Sequence, residues 1–262
     1  STVASLEMLT KQNGIVYLLD SSYKPEDTEP VIVTVETTPP LTFSPEDAGL
    51  VALFRACDLP VDIQALLQCW YLGSESGTAI ANVLTGKANP SGKLPITIAR
   101  KYEDYAYVKY GEEAYPGIDK QVTYKEDIYV GYRHFTTNKV KPLFPFGFGL
   151  SYTTFKYGKP VVSGNAVSVD ITNTGNRDGK ETVQLYVGLQ NCDEDRPVKE
   201  LKGFKKVALA PGETKKVTFE ISEDMLKFYD PAQKTWVLEK GDFTAYVGAA
   251  SDDIRSIVKV SI

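Results

Sequence analysis

The spacing of apolar positions changes character along the chain. Up to about Arg100 they come in short continuous runs separated by polar, turn-forming stretches. "GIVYLLD" (Gly14–Asp20) and "PVIVTVET" (Pro30–Thr37) are two such runs, the second rich in β-branched residues. Runs of this kind suit strands covered on both faces. "DIQALLQCWYLG" carries a third, ending in Gly73. Helical spacing lies between and after them. In "SPEDAGLVALFRA", Ser44 reads as an N-cap, Pro45 as the first helical residue and Glu46 and Asp47 as acids of the first turn. "SGTAIANVLTG" puts Ala79, Ile80, Val83 and Leu84 on one face, with Gly86 closing the helix. Strands alternating with helices predict a parallel α/β layer over residues 1–100.

After Gly149 the period becomes two. "NAVSVDITNTG" alternates Val167, Val169 and Ile171, and "GKETVQLYVGLQ" alternates Val183, Leu185 and Val187. Two further strands flank the turn "APGET", and "MLKFYDPAQKTWVLEKGDFTAYVGAAS" and "IRSIVKVSI" supply the rest. About seven short strands with turn signals roughly every ten residues predict an all-β sandwich over residues 150–262. Without cysteines at immunoglobulin-type positions, the fibronectin type III-like variety fits better. Residues 101–149 keep no period. They are studded with tyrosine and read as a long ordered connector, with a short helix near "EDIYVGYRHF". It ends in "FPFGFGLSYTTF" (Phe144–Phe155), too aromatic for a linker and too broken for a strand.

Composition narrows the chemistry. The chain has 262 residues, 42% hydrophobic and 24% charged, enough to bury a core. Its net charge of −5, with Lys and Arg scattered among acids, gives no field for nucleic acid or an anionic membrane. No apolar run approaches spanning length. The N-terminal stretch lacks the basic start and long apolar run of a signal peptide, as a mature exported chain also would. A periplasmic or secreted location is expected ahead of a cytoplasmic one. Cys57, Cys69 and Cys192 are isolated, with no disulfide framework and no metal-ligand spacing. A single histidine, His134, argues against a Ser–His–Asp triad and reads best as a packed structural residue. "KANPSGKLP" lacks phosphate-loop spacing and reads as a turn.

Three ordered blocks carry a resemblance: "ALLQCWYLGSESGTAIANVLTGKANPSGKLPITIARKYEDY" (Ala65–Tyr105), "YKEDIYVGYRHFTTNKVKPLFPFGFGLSYTTF" (Tyr124–Phe155), and "RPVKELKGFKKVALAPGETKKVTFEI" with "YVGAASDDIR". Together they resemble glycoside hydrolase family 3, the β-glucosidase and β-xylosidase family. The resemblance implies a (β/α) barrel, an α/β sandwich and a fibronectin type III-like domain in the complete enzyme. The first block would end the α/β sandwich and the third would form the terminal β-sandwich. The aromatic stretch would clamp the last domain to the one before it. The implied activity is hydrolysis of terminal β-glucosides with retention, without cofactor or metal. The implied partners are a carbohydrate substrate and a barrel domain or chain.

The chain departs from the family pattern at the catalytic residues. A barrel of about 250 residues does not fit beside the other two parts, so the family's nucleophilic aspartate is missing. The "GEGxDR"-like stretch that carries the acid/base glutamate in many members is also missing. "DSSYKPEDTEP" (Asp20–Pro30) stands about where that loop would begin, which makes Glu26 and Glu29 the candidates, although as acids between turn residues they read more simply as solvated. Trp70, Tyr71 and Glu75 lie in "WYLGSESG", similar to the family's "WYPGQEGG" near the active-site side, and are the substrate-contact candidates; core packing is the plainer reading for the aromatics. The expected function is the C-terminal region of a β-glucosidase-like enzyme, inactive unless a barrel is supplied. The alternative is a non-catalytic module that binds carbohydrate or protein through its tyrosine-rich surface.

Overall fold

The computed structural model describes residues 14–16, 33–35, 66–70, 73–190, 192 and 195–260. The readings made for Glu26, Glu29, Cys57, Tyr71 and the helix opening at Ser44 lie outside the described residues. The chain divides into two compact units, Ser1–Ala88 and Asn89–Ile262.

In the first unit, β1 (Gly14–Val16) pairs with β2 (Val33–Val35). The pairing is antiparallel, Ile15 opposite Thr34, which corrects the parallel layer expected from the alternating runs. Antiparallel neighbours need no crossover connection, which parallel neighbours do. Leu66–Trp70 form no strand. Leu66 and Trp70 are exposed, and Trp70 has φ +52, outside the extended range a strand requires. Helix α1 (Ser76–Leu84) is present as expected, and Gly86, at φ +73, donates its N–H to the Val83 carbonyl and ends it.

The second unit is built on the sandwich. One sheet has the order β12 (Ile254–Val260), β11 (Asp242–Gly248), β6 (Gly179–Gln190), β7 (Glu200–Leu209). In the other, β5 (Ala166–Asn173) is flanked on one side by β8 (Thr214–Glu220) and on the other by the short β3 (Phe155–Tyr157) and β4 (Val161–Ser163). All these pairs are antiparallel. The alternating residues of β5 and β6 meet as foreseen. Val167, Val169 and Ile171 pack in one core with Val183, Leu185 and Val187, joined by Val217, Phe219, Ala245, Val247 and Val260. The "APGET" turn carries the chain from β7 in one sheet to β8 in the other. Gly212 takes φ +74 there, and Ala210 N–H donates to the Glu213 carboxylate. A helical turn, α3 (Glu223–Leu226), leads into the separate hairpin of β9 (Phe228–Asp230) and β10 (Thr235–Val237).

Residues 89–149 pack onto this sandwich. They contain short 3-10 turns at Tyr102–Asp104 and Val108–Glu113 and one helix, α2 (Tyr132–Thr137), which overlaps the end of the stretch near which a short helix is expected.

Candidate functional site

The predicted contact residues can be placed in part. Glu75 caps the start of α1 through its backbone; its side chain makes no capping bond and is exposed. Trp70 is half exposed in the irregular segment ahead of it. A retaining site needs a second carboxyl group about 5–5.5 Å from the first. Two of the chain's surface acids are instead held by cations. Asp253 engages Arg255, with Arg255 Nε 2.5 Å from its carboxylate, and Glu113 pairs with Lys125. These are charge-compensated surface acids.

Among the described residues, a densely hydrogen-bonded part is where "FPFGFG" meets β6. Phe144 pairs with Ile98 through an isolated antiparallel bridge, and Leu94 N–H donates to the Phe148 carbonyl at 2.8 Å. This folds the stretch back along residues 94–98. The Phe146 carbonyl accepts from Ser251 N–H at 2.9 Å, and the Gly147 carbonyl accepts from Gln184 Nε2 at 3.1 Å. Gln184 Nε2 also donates to the Ala249 carbonyl at 2.6 Å, and its Oε1 accepts from the Tyr186 phenol at 2.5 Å. Both side chains are buried. Gly147 has φ +81, and a Cβ there would overlap the Gln184 amide, so only glycine fits.

Three more contacts tie the connector down. Asn89 Oδ1 accepts from Ser151 Oγ and Tyr152 N–H at 2.9 and 2.8 Å while its Nδ2 donates to the Asp178 carbonyl. Lys93 lies 3.4 Å from the buried Glu181, which also accepts from the Tyr157 phenol at 2.7 Å. On the other edge, the β6–β7 register shifts between Leu185 and Tyr186, and beside that bulge the Tyr132 phenol accepts from Leu201 N–H at 2.8 Å. Tyr132 also packs at a tilt against Phe146 and meets Tyr186 edge-on, with centroids 5.0 and 5.7 Å apart. Asn89, Glu181, Gln184 and Tyr186 were not singled out in the sequence. Each is an ordinary polar residue on a strand or turn, and its partners come from segments distant in sequence.

A groove of about 300 Å³ runs beside α2, lined by Lys109, Tyr110, Glu126, Tyr129, His134 and Asp195 among others. Tyr129 donates to the Asp195 carboxylate. Burial, and then this anion, push its phenol up to about 12. His134 lies with Nε2 3.1 Å from the Asp104 carbonyl and Nδ1 3.1 Å from Asn138 Nδ2. A carbonyl on one side and an amide donor on the other fix the tautomer protonated at Nε2. Burial lowers its pKa. This is the structural histidine expected. Cys69 and Cys192 are unpaired, and among the described residues no cluster of His, Cys, Asp and Glu could hold a metal.

Comparison with known proteins places these features. The model for the glycosyl hydrolase family 3 C-terminal domain matches residues 22–152, and that for the fibronectin type III-like domain matches residues 181–251. A β-glucosidase of Bacteroides ovatus is 51% identical over 205 residues, 75% of this chain and 27% of its own length. A β-glucosidase of Rhizobium radiobacter is 41% identical over 207 residues, 76% of this chain and 25% of its own. Among solved structures, the β-glucosidase DesR of Streptomyces venezuelae, crystallised with D-glucose, superposes with a TM-score of 0.73 at 39% identity, covering 77% of this chain and 26% of that one. β-Glucosidase 3B of Thermotoga neapolitana, with glucose, gives 0.69 at 40% identity over 76% and 28%. The chain thus spans about a quarter of the length of the relatives it matches.

Proposed function

The chain belongs to glycoside hydrolase family 3, and from that premise we propose that it serves as the C-terminal region of a retaining β-glucosidase acting on terminal β-glucosides. The observation that carries the proposal is the 51% identity to a β-glucosidase over a segment that makes up only 27% of that enzyme. The catalytic barrel is outside this chain. In the double displacement, an ionised carboxylate attacks the anomeric carbon while a protonated one delivers a proton to the leaving oxygen; water then reverses the covalent step. The attacking carboxylate belongs to the barrel.

The residues described above support positioning. Gln184, Gly147, Asn89 and Lys93 hold residues 89–149 rigidly on the sandwich, so that whatever these residues touch is held in register with it. Trp70 and Glu75, exposed ahead of α1, remain the candidates for substrate contact.

The test is hydrolysis of an aryl β-glucoside panel by the purified chain. The expected result is no turnover above the buffer rate. Turnover at an enzymatic rate would mean that a complete carboxylate pair lies within the chain, and the proposal would fail.

A further inference from the structure

The groove beside α2 draws its walls from separate stretches of chain: residues 106–110, Glu126 with Tyr129, the end of α2 with Asn138, and Asp195. Hydrogen bonds lock these walls to one another. Tyr129 donates to the Asp195 carboxylate, Val198 N–H donates to Thr137 Oγ1 at 3.2 Å, and His134 joins α2 to the Asp104 carbonyl. The cavity therefore exists before anything enters it, and a ligand would spend little on ordering it. Its volume, about 300 Å³, stands at the small end of the roughly 300–1,000 Å³ of ligand sites. That is room for a single ring with its substituents.

Several polar groups of the lining have bonding capacity that the chain leaves unused. Glu126 Oε2 is buried and has no hydrogen-bond partner among the described residues, a costly state for an acceptor. Lys109 Nζ rests 4.8 Å over the Tyr110 ring, with no carboxylate at ion-pair distance among the described residues, so its N–H donors are open. Asn138 uses Nδ2 on the ring and carbonyl of His134, which leaves Oδ1 to accept. Tyr129 and His134, by contrast, are already engaged with Asp195 and Asp104.

These open positions select the occupant. Donors and acceptors border the same space, so the ligand must give and take hydrogen bonds at several points. Lys109 offsets Glu126 in charge and Tyr129 bonds Asp195, so the ligand need carry no charge. The rings of Tyr110 and Tyr129 add apolar contact for C–H groups. A neutral ring bearing several hydroxyls meets all three conditions. We propose that this groove binds a monosaccharide in its pyranose form. A metal ion fits less well, since no group of three or more His, Cys, Asp and Glu among the described residues could hold one.

The test titrates the purified, 15N-labelled chain with D-glucose, D-galactose and D-xylose in turn and follows the amide resonances. At least one sugar should give saturable shifts at Lys109, Tyr110 and the Asn138 side-chain amide. Lys109→Met and Glu126→Leu should each raise its Kd roughly tenfold, the loss of one charge-assisted hydrogen bond. Lys109 is exposed, so Lys109→Met should keep the Tm of the parent chain and give a clear reading even if Glu126→Leu does not fold. No saturation with any of the three sugars, shifts confined to residues around Trp70, or an unchanged Kd in Lys109→Met would each overturn the proposal. Saturation by calcium chloride but by none of the sugars would also overturn it and make the groove a cation site. Aryl β-glucoside hydrolysis is read separately. A chain that turns nothing over and shows no sugar-dependent shifts defeats the groove alone, and a chain that shows the shifts but hydrolyses the glucosides defeats the functional reading alone.

Discussion

Gln184 Nε2 donates to the Gly147 carbonyl at 3.1 Å, joining the middle of a sandwich strand to the glycine turn of the connector. The same amide donates to Ala249 and accepts from Tyr186, so three of its bonding positions are used inside the protein. Gln184→Leu would keep the volume and strand two carbonyls and a phenol. Each stranded group costs about 1–3 kcal/mol, and relaxation recovers part of that, so the expected loss is about 2–4 kcal/mol in urea unfolding. Tyr186→Phe, which removes one donor and leaves the amide's other bonds, should cost only about 1 kcal/mol. Equal losses for the two variants would contradict the network.

Two glycines with similar backbone angles separate sterics from conformation. Gly147 has φ +81 and no room for a Cβ, whereas Gly212 has φ +74 and nothing within 4 Å of one. Gly212→Ala should lose about 1 kcal/mol, the cost of the left-handed conformation. Gly147→Ala adds collision with Gln184 and should lose about 3 kcal/mol or more. Chemical denaturation of both variants checks the ordering.

Tyr132 supplies an acceptor to Leu201 N–H beside the bulge in β7. Tyr132→Phe keeps the ring contacts with Phe146 and Tyr186 but orphans that donor. The expected cost is about 1–2 kcal/mol, with faster amide exchange at Leu201 and little change at Val183.

Glu200 sets a pH dependence. Burial alone would raise its pKa, but Lys202 and Arg133, each 3.1 Å away, outweigh burial and hold it below its ordinary 4.5. The folded value is thus lower than the unfolded one. The stabilisation is fully present above about pH 4.5 and is lost as the pH falls through the folded value. Tm should decline with acidification in that window, and less steeply in Glu200→Gln. An unchanged slope would remove Glu200 from the account.

Much of the sandwich was legible because β5 and β6 obey period two: Val167, Val169 and Ile171 on one, Val183, Leu185 and Val187 on the other, all buried. The same rule misleads at Gln184 and Tyr186, which alternation assigns to solvent. Both are buried, because residues 144–149 cover that face of β6. Periodicity reports which positions are apolar; it does not report that a polar strand face will be roofed by another segment. Trp70 illustrates the opposite failure. An apolar run with no described neighbour to pair with takes no strand, and the residue stays half exposed. Spacing alone assigns no catalytic carboxylates, since acids as common as 34 in 262 residues form chance pairs everywhere.

The roof over β6 bears on how such a domain is inherited. A sandwich excised at Gly149 would leave the Gln184 amide and the Tyr186 ring facing water, and would sever the Lys93–Glu181 pair and the Asn89 contacts. The piece that can be exchanged between enzymes, by recombination or by an engineer, is therefore the sandwich together with its sixty-odd preceding residues, the compact unit Asn89–Ile262. Swaps made at the visible start of the β pattern are expected to give aggregating hybrids, and swaps made ahead of Asn89 to give soluble ones.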